Sequence, residues 1–277
     1  MMRGYKTKKR MAPGPDGRVK LLVAEPTKKV GPLPGVLWIH GGGYVLGMAS
    51  MVHMSRAADI ARAGLGVVVS PEYRLASKAP YPAAVEDCYA ALLWLRDHAA
   101  ELGVRDDQLF VGGESAGGGL AAAVCMMARD RGEINVAFQM PLYPMIDCFD
   151  TETSRDNHGR VWNTRRNHWG WRAYLGPLAD AAAGDVPPYA SPARQRDYAG
   201  LPPAYTFVST GEPFYAETLA YASNLQAAGV DAQCDVYPGD VHAFDMLMPR
   251  RAQSKQAARA FMLQYLAAIE ERRAAQP

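Results

Sequence analysis

Long apolar runs are missing from this chain of 277 residues, since no stretch reaches the ~18 consecutive apolar residues that would span a bilayer. The residues from Met1 to Asp16 carry basic side chains with no apolar stretch behind them, so they do not predict a secretory leader. Cysteine is scarce, and the four that occur lack metal-ligand spacing, which predicts reduced, mostly buried thiols at Cys88, Cys125, Cys148 and Cys234. We therefore expect a cytoplasmic protein with no membrane partner and no metal.

An excess of charge of one sign is missing too. The chain has 30 basic and 28 acidic side chains, a formal net charge of +2, which gives no electrostatic footprint for nucleic acid. The short basic cluster from Lys6 to Arg10 is interpreted as a solvated arm. Neither of the phosphate-cradling strings G-x-x-x-x-G-K-[ST] and G-x-G-x-x-G occurs. These absences favour a small neutral ligand and no cofactor.

Short apolar runs alternate with longer helical patterns, which predicts βαβ units and a mostly parallel central sheet flanked by helices. Seven strands are predicted, at Val19–Ala24, Val36–Ile39, Gly66–Ser70, Leu109–Gly112, Val136–Leu142, Ala204–Val208 and Ala232–Tyr237. A stretch rich in Trp, Arg, His and Asn, residues 147–192, interrupts the alternation and predicts a helical lid. The expected organisation is a core formed by residues 1–146 and 193–277 with this lid inserted.

The pentapeptide Gly113-Glu114-Ser115-Ala116-Gly117 stands between an apolar run and a helix-forming stretch. A chain that leaves a strand and enters a helix within one residue holds the turning residue in a strained conformation, with small neighbours around it. Without its flanks the pattern could be a glycine-rich helix N-terminus. In this setting it predicts that Ser115 is a nucleophile.

A serine nucleophile needs a base and an orienting carboxylate. We predict His242 as the base, because it follows the last predicted strand and so returns to the same sheet edge as Ser115. Glu212 is the predicted acid, since it follows the strand Ala204–Val208 and precedes His242. Three acidic residues are rivals to it, namely Glu217, Asp240 and Asp245. The other histidines are interpreted as surface or packing residues, namely His53, His98, His158 and His168.

Three consecutive glycines follow the strand Val36–Ile39 in His40-Gly41-Gly42-Gly43-Tyr44. Glycines let backbone N–H groups turn into a cavity and approach a ligand, so Gly41, Gly42 and the N–H of Ala116 are predicted to bind an oxyanion. His40 is expected to brace this loop by hydrogen bonds. Tyr44, at the end of this loop, and Glu114, within the pentapeptide, are predicted to contact substrate.

Together these residues resemble the hormone-sensitive lipase family of α/β-hydrolases, in its bacterial carboxylesterase branch. The likeness covers residues from about 17 to 270 and includes HGGG, the G-[DE]-S-A-G elbow, Glu72 to Ala76, Tyr81 to Asp87 and the His242 loop. It implies the α/β-hydrolase fold and the same base, nucleophile and oxyanion glycines. Where most members have Asp-Pro for the acid, this chain has Glu212-Pro213. Because only 39 residues precede His40, the cap is expected to be reduced.

The function expected from these observations is a serine carboxylesterase that hydrolyses short- to medium-chain esters of small molecules. Two alternatives stay open: an amidase or carbohydrate deacetylase on the same triad, and a non-catalytic binding protein on this scaffold. A homodimer through an exposed edge strand at Ala232–Tyr237 is a further hypothesis.

Overall fold

A computed structural model describes residues 4–277, which form an eight-stranded sheet with helices on both faces. The strands are β1 (Tyr5–Gly14), β2 (Gly17–Pro26), β3 (Leu33–Ile39), β4 (Val67–Pro71), β5 (Val104–Glu114), β6 (Phe138–Leu142), β7 (Ala204–Ser209) and β8 (Ala232–Tyr237). The helices are α1 (Arg56–Ala63), α2 (Ala83–Asp97), α3 (Ala99–Leu102), α4 (Ala116–Arg131), α5 (Thr164–Leu175), α6 (Tyr215–Ala227), α7 (Phe244–Leu247) and α8 (Ala252–Glu271). Short 3₁₀-helices span Ala49–Met54, Gly176–Leu178 and Pro192–Arg194.

The strand order is β1-β2-β4-β3-β5-β6-β7-β8. Strand β2 runs antiparallel to both of its neighbours, and the six strands from β4 to β8 in this order are parallel to one another. In β3, β4, β6 and β7 every residue is buried, as expected for parallel strands covered on both faces. The predicted fold class is confirmed, and each of the seven predicted strands overlaps a strand of the sheet.

The basic cluster from Lys6 to Arg10 differs from the prediction, because it is part of a strand and not an arm. Strand β1 pairs antiparallel with β2 over its whole length, from Tyr5 opposite Pro26 to Gly14 opposite Gly17. The lysines are exposed, while Tyr5 and Ala12 are buried. Charged side chains on an edge strand disfavour pairing with other chains, and they also hide the strand from a search for apolar runs.

The core lies in two layers, one on each face of the sheet. On one face the buried side chains of α2 and α4 pack against the strands, and on the other face those of α1 and α8 do so. Since the parallel strands β3, β5, β7 and β8 share one direction, the loops at their carboxyl ends meet at one edge of the sheet. No helix within residues 4–277 has the length and apolar character needed to cross a membrane.

The segment 147–192 contains α5 and the short helical turn Gly176–Leu178. Trp171 and Tyr174 on α5 are buried against the core, whereas Trp169 is half exposed. A Cβ placed on Gly43 would lie 2.0 Å from Cη2 of Trp162, so the indole rests directly on the glycine loop. The interpretation of this segment as an inserted lid stays a prediction, and its aromatic side chains supply the packing.

The burial of Ala12 gives a test of β1. We expect Ala12→Asp to lower the free energy of unfolding by about 2 kcal/mol or more, because it puts an unpaired carboxylate into the interior. Thr7→Asp, at an exposed position of the same strand, should change it by less than about 0.5 kcal/mol. Urea unfolding of both variants measures the difference. Equal effects would show that β1 does not pack as described.

Candidate active site

Ser115 occupies the single residue between the end of β5 and the start of α4. Its backbone has φ 57° and ψ −122°, a strained conformation for a residue with a side chain. A Cβ on Gly113 would lie 2.4 Å from the Gly117 carbonyl oxygen, and one on Gly117 would lie 2.1 Å from the Ile39 carbonyl oxygen. Any larger residue at these two positions would push the turn apart. The backbone here is therefore the strained, glycine-flanked elbow that the sequence pattern predicts.

His242 lies in the loop that joins β8 to α7. Its Nε2 is 2.9 Å from the Ser115 hydroxyl oxygen, within hydrogen-bond distance. Both side chains are mostly shielded, with Ser115 at 7% and His242 at 5% exposure. An imidazole whose Nδ1 proton is donated elsewhere leaves Nε2 free to accept the serine proton. The pair thus has the geometry of a nucleophile and its base.

Glu212, three residues beyond the end of β7, supplies the partner for Nδ1. One carboxylate oxygen, Oε2, makes a short hydrogen bond with Nδ1 of His242. The other, Oε1, accepts hydrogen bonds from the backbone N–H of Ser209 at 2.9 Å and from its hydroxyl at 3.1 Å. The side chain has no exposed surface. Ser115, His242 and Glu212 therefore form one chain of hydrogen bonds at the sheet edge.

The rival acids lie elsewhere. Glu217 is buried on α6, and its Oε1 accepts the backbone N–H groups of Ile146 at 2.7 Å and Asp147 at 3.2 Å. Burial raises the pKa of Glu217 well above its usual range, and the charge of Asp147 raises it further. The hydrogen bonds from Ile146 and Asp147 give Glu217 a structural role in holding the loop after β6. Asp240 is exposed to solvent.

Asp245, the third rival, belongs to a layer behind the histidine. It accepts a hydrogen bond from the Tyr143 hydroxyl at 3.0 Å, and its Oδ2 is 3.1 Å from Nε of Arg56. The rings of Tyr143 and Phe214 stand nearly perpendicular to the His242 ring, with centroids 5.2 and 5.0 Å away. No motif in the sequence indicates Tyr143 or Phe214, although Tyr143 directly follows β6 and Phe214 lies two residues after Glu212.

The glycine loop lies beside the nucleophile. A Cβ on Gly41 would be 2.9 Å from the Glu114 carbonyl oxygen and 3.2 Å from Cβ of Ser115. Gly42 has φ 119°, a conformation that favours glycine. Ala116 is the first residue of α4, where backbone N–H groups have no partner within the helix. The start of the glycine loop and the first turn of α4 thus both lie at Ser115, and oxyanion binding by Gly41, Gly42 and Ala116 stays a prediction.

His40 has the bracing contacts predicted for it. Its Nδ1 lies 2.8 Å from the Gly41 carbonyl oxygen, and its ring stacks on Tyr73 with centroids 4.2 Å apart. The Tyr73 hydroxyl donates to the His40 carbonyl oxygen at 3.0 Å. Burial lowers the pKa of His40, which favours the neutral ring. The other four histidines contact groups outside this site, namely His53, His98, His158 and His168.

Tyr44 and Glu114, the predicted substrate contacts, both have buried side chains. The Tyr44 hydroxyl donates to the Met145 carbonyl oxygen at 2.6 Å, and its ring stacks on Tyr174 with centroids 4.0 Å apart. Glu114 is 3% exposed, and burial raises its pKa to about 8. The geometry gives these side chains a packing role, and contact with substrate stays a prediction for them.

A family profile for the alpha/beta hydrolase fold matches residues 36–246, which include the glycine loop, the elbow, Glu212 and His242. The chain belongs to the α/β-hydrolase fold family. The predicted resemblance to its hormone-sensitive lipase-like carboxylesterase branch is confirmed.

Relatives within this α/β-hydrolase family carry esterase names. The carboxylesterase NlhH of Mycobacterium tuberculosis is 34% identical over 227 residues, which are 80% of this chain and 70% of that protein. Among solved structures, a bacterial heroin esterase superposes with a TM-score of 0.90 at 35% identity and covers 96% of this chain and 85% of its own. A thermostable esterase from Pseudomonas putida gives 0.88 at 31% identity, covering 96% and 84%. The expected enzyme class, carboxylic ester hydrolase, agrees with these names.

The raised pKa of Glu114 predicts how this α/β-hydrolase responds to pH. Its folded-state pKa of about 8 exceeds the ordinary value of 4.5, so between those values the folded state retains a proton that the unfolded state has lost. Stability from this group therefore falls as pH rises from about 5 to 8. We expect Glu114→Gln to become progressively more stable relative to the parent chain over that range.

Urea unfolding of the parent and Glu114→Gln at pH 5, 6.5 and 8 measures this difference directly. The exposed Glu270→Gln serves as the matched control and should show a difference that is flat with pH. A flat difference for Glu114→Gln as well would contradict a protonated carboxyl behind the nucleophile.

Proposed function

We propose that this chain is a serine carboxylesterase that hydrolyses short- to medium-chain carboxylic esters through an acyl-enzyme. The observation that carries the proposal is the position of His242, which lies 2.9 Å from the Ser115 hydroxyl on one side and bonds to Glu212 on the other. The esterase names of the relatives support the same substrate class. A small neutral ester also fits a chain whose formal charge is only +2.

In the proposed mechanism the Ser115 oxygen attacks the ester carbonyl carbon while Nε2 of His242 takes the hydroxyl proton. The imidazolium that forms is stabilised by the Glu212 carboxylate at Nδ1. The new C–O bond converts the carbonyl oxygen to an oxyanion, which the N–H groups of Gly41, Gly42 and Ala116 are proposed to bind.

Collapse of this tetrahedral intermediate breaks the bond to the alcohol, which leaves with the proton from His242 and yields the acyl-enzyme. Water then repeats the sequence. His242 takes a proton from the water as its oxygen attacks the acyl carbon, and it returns that proton to Ser115 as the carboxylic acid departs. No step draws on any group beyond the protein and water.

We also propose how the chain is divided into core and cap, where it is located and how it assembles. Residues 147–192 are proposed to form a cap over a core built from residues 1–146 and 193–277, supported by the contact of Trp162 with Gly43. A cytoplasmic location and a homodimer through β8 are carried as proposals, the latter because β8 is the last strand of the sheet. Sedimentation equilibrium tests the dimer, since a monomer mass would dismiss it.

Ser115→Ala tests the proposed function. We expect ester turnover to fall by at least about 10³-fold, because the nucleophile is lost. The unfolding transition should be unchanged, because the alanine methyl group fills most of the space of the serine side chain. An activated aryl ester should give a burst of leaving group in the parent chain and none in the variant, and an organophosphonate should label Ser115. A parent chain that shows neither burst nor labelling would favour a binding protein.

Substrate class is tested separately, by assay of simple esters beside amides and sugar acetates. The proposal expects esters with short to medium acyl chains to give the highest kcat/KM. A higher kcat/KM for amides or sugar acetates would indicate that the same triad serves an amidase or a carbohydrate deacetylase.

A further inference from the structure

Ser209, the last residue of β7, contacts the acid of the site from the side opposite the histidine. It is fully buried, and both of its hydrogen-bond donors reach the same oxygen, Oε1 of Glu212. The hydroxyl oxygen also lies 3.4 Å from the carbonyl oxygen of Val241, the residue before His242. Ser209 therefore touches the carboxylate and the chain segment that carries the base.

A glutamate side chain has three rotatable bonds, so its carboxylate needs external contacts to keep one orientation. The ion pairs of this structure join Glu212 to His242 and to no lysine or arginine among residues 4–277. The two donors of Ser209 on Oε1 and the imidazole on Oε2 thus define the plane of the carboxylate. Without the hydroxyl, one backbone N–H would remain to hold Oε1.

We propose that Ser209 is a positioning residue of the catalytic site, whose hydroxyl fixes the Glu212 carboxylate so that Oε2 faces the imidazole. This inference rests on the proposed function, because it assigns Ser209 a part in the same reaction. The imidazolium carries its charge only while the proton is on His242. Loss of the Ser209 hydroxyl should therefore destabilise the transition state and leave substrate binding unchanged.

The test is a double-mutant cycle that joins Ser209→Ala and Glu212→Ala. With Glu212 present, we expect Ser209→Ala to lower kcat about tenfold and to leave KM within about twofold. In the Glu212→Ala background the same substitution should change kcat by less than about twofold, because the group on which it acts is gone. An activated aryl ester keeps the slow variants measurable.

Thr206→Val is the matched control, since Thr206 is a buried residue of the same strand. Its hydroxyl donates to the Pro141 carbonyl oxygen at 2.6 Å and does not contact Glu212. We expect this variant to lose stability and to keep kcat within about twofold in either background. A general effect of removing a buried hydroxyl from β7 would lower kcat here as well.

Three results would overturn the inference: an unchanged kcat for Ser209→Ala, an equal loss with and without Glu212, or a comparable loss for Thr206→Val. None of them would affect the proposed esterase function, which is tested by Ser115→Ala and by the leaving-group burst. Conversely, a parent chain without a burst would remove the proposed function, and with it the reaction in which Ser209 is placed.

Discussion

The site depends on a close approach of backbone to backbone at the elbow. A Cβ on Gly117 would lie 2.1 Å from the Ile39 carbonyl oxygen and 2.5 Å from that of His40, and a Cβ on Gly113 would lie 2.4 Å from the Gly117 carbonyl oxygen. This contact holds Ser115 at a positive φ and sets the glycine loop beside it. Because Gly113, Ser115 and Gly117 all depend on this contact, a larger side chain at either glycine would displace the nucleophile and the glycine loop together.

The interior around this elbow is rich in carboxyl groups. Burial raises the pKa of Glu114, Glu217 and Asp245, so the folded protein disfavours their anionic forms. Asp245 is compensated by Arg56 and by the Tyr143 hydroxyl, and Glu217 by two backbone N–H groups. Glu212 differs from Glu114 and Glu217, each of which has one carboxylate oxygen without a hydrogen-bond partner among residues 4–277. Both oxygens of Glu212 are hydrogen-bonded, one to Ser209 and one to His242.

Much of the sheet could be predicted from the sequence, because buried parallel strands read as short apolar runs. Strand β1 was missed since its exposed side chains are basic and only Tyr5 and Ala12 are buried among its first eight residues. Its pairing with β2 is a contact between neighbours in the chain, and the turn residues Gly14-Pro15-Asp16-Gly17 between the two strands could have indicated a hairpin.

The proposed triad residues could be identified because each follows a predicted strand, and parallel strands bring their carboxyl ends together. The side chains that pack on His242 could not, since Tyr143 and Phe214 come from distant parts of the chain and carry no shared motif. Their roles depend on ring orientation and on distances that spacing does not encode. The same holds for Ser209, whose link to Glu212 appears only when the loop after β7 folds back.

Trp162 joins segment 147–192 to the glycine loop, because its indole occupies the space that a side chain at position 43 would fill. The ring excludes water from the backbone of Gly43, and its Nε1 donates to Asn167 on α5 at 3.2 Å. Displacement of α5 would withdraw the indole and hydrate the peptide groups of the loop. The position of α5 therefore sets the local dielectric constant around the amides of the glycine loop: the constant is low while the indole covers them and rises when it is withdrawn.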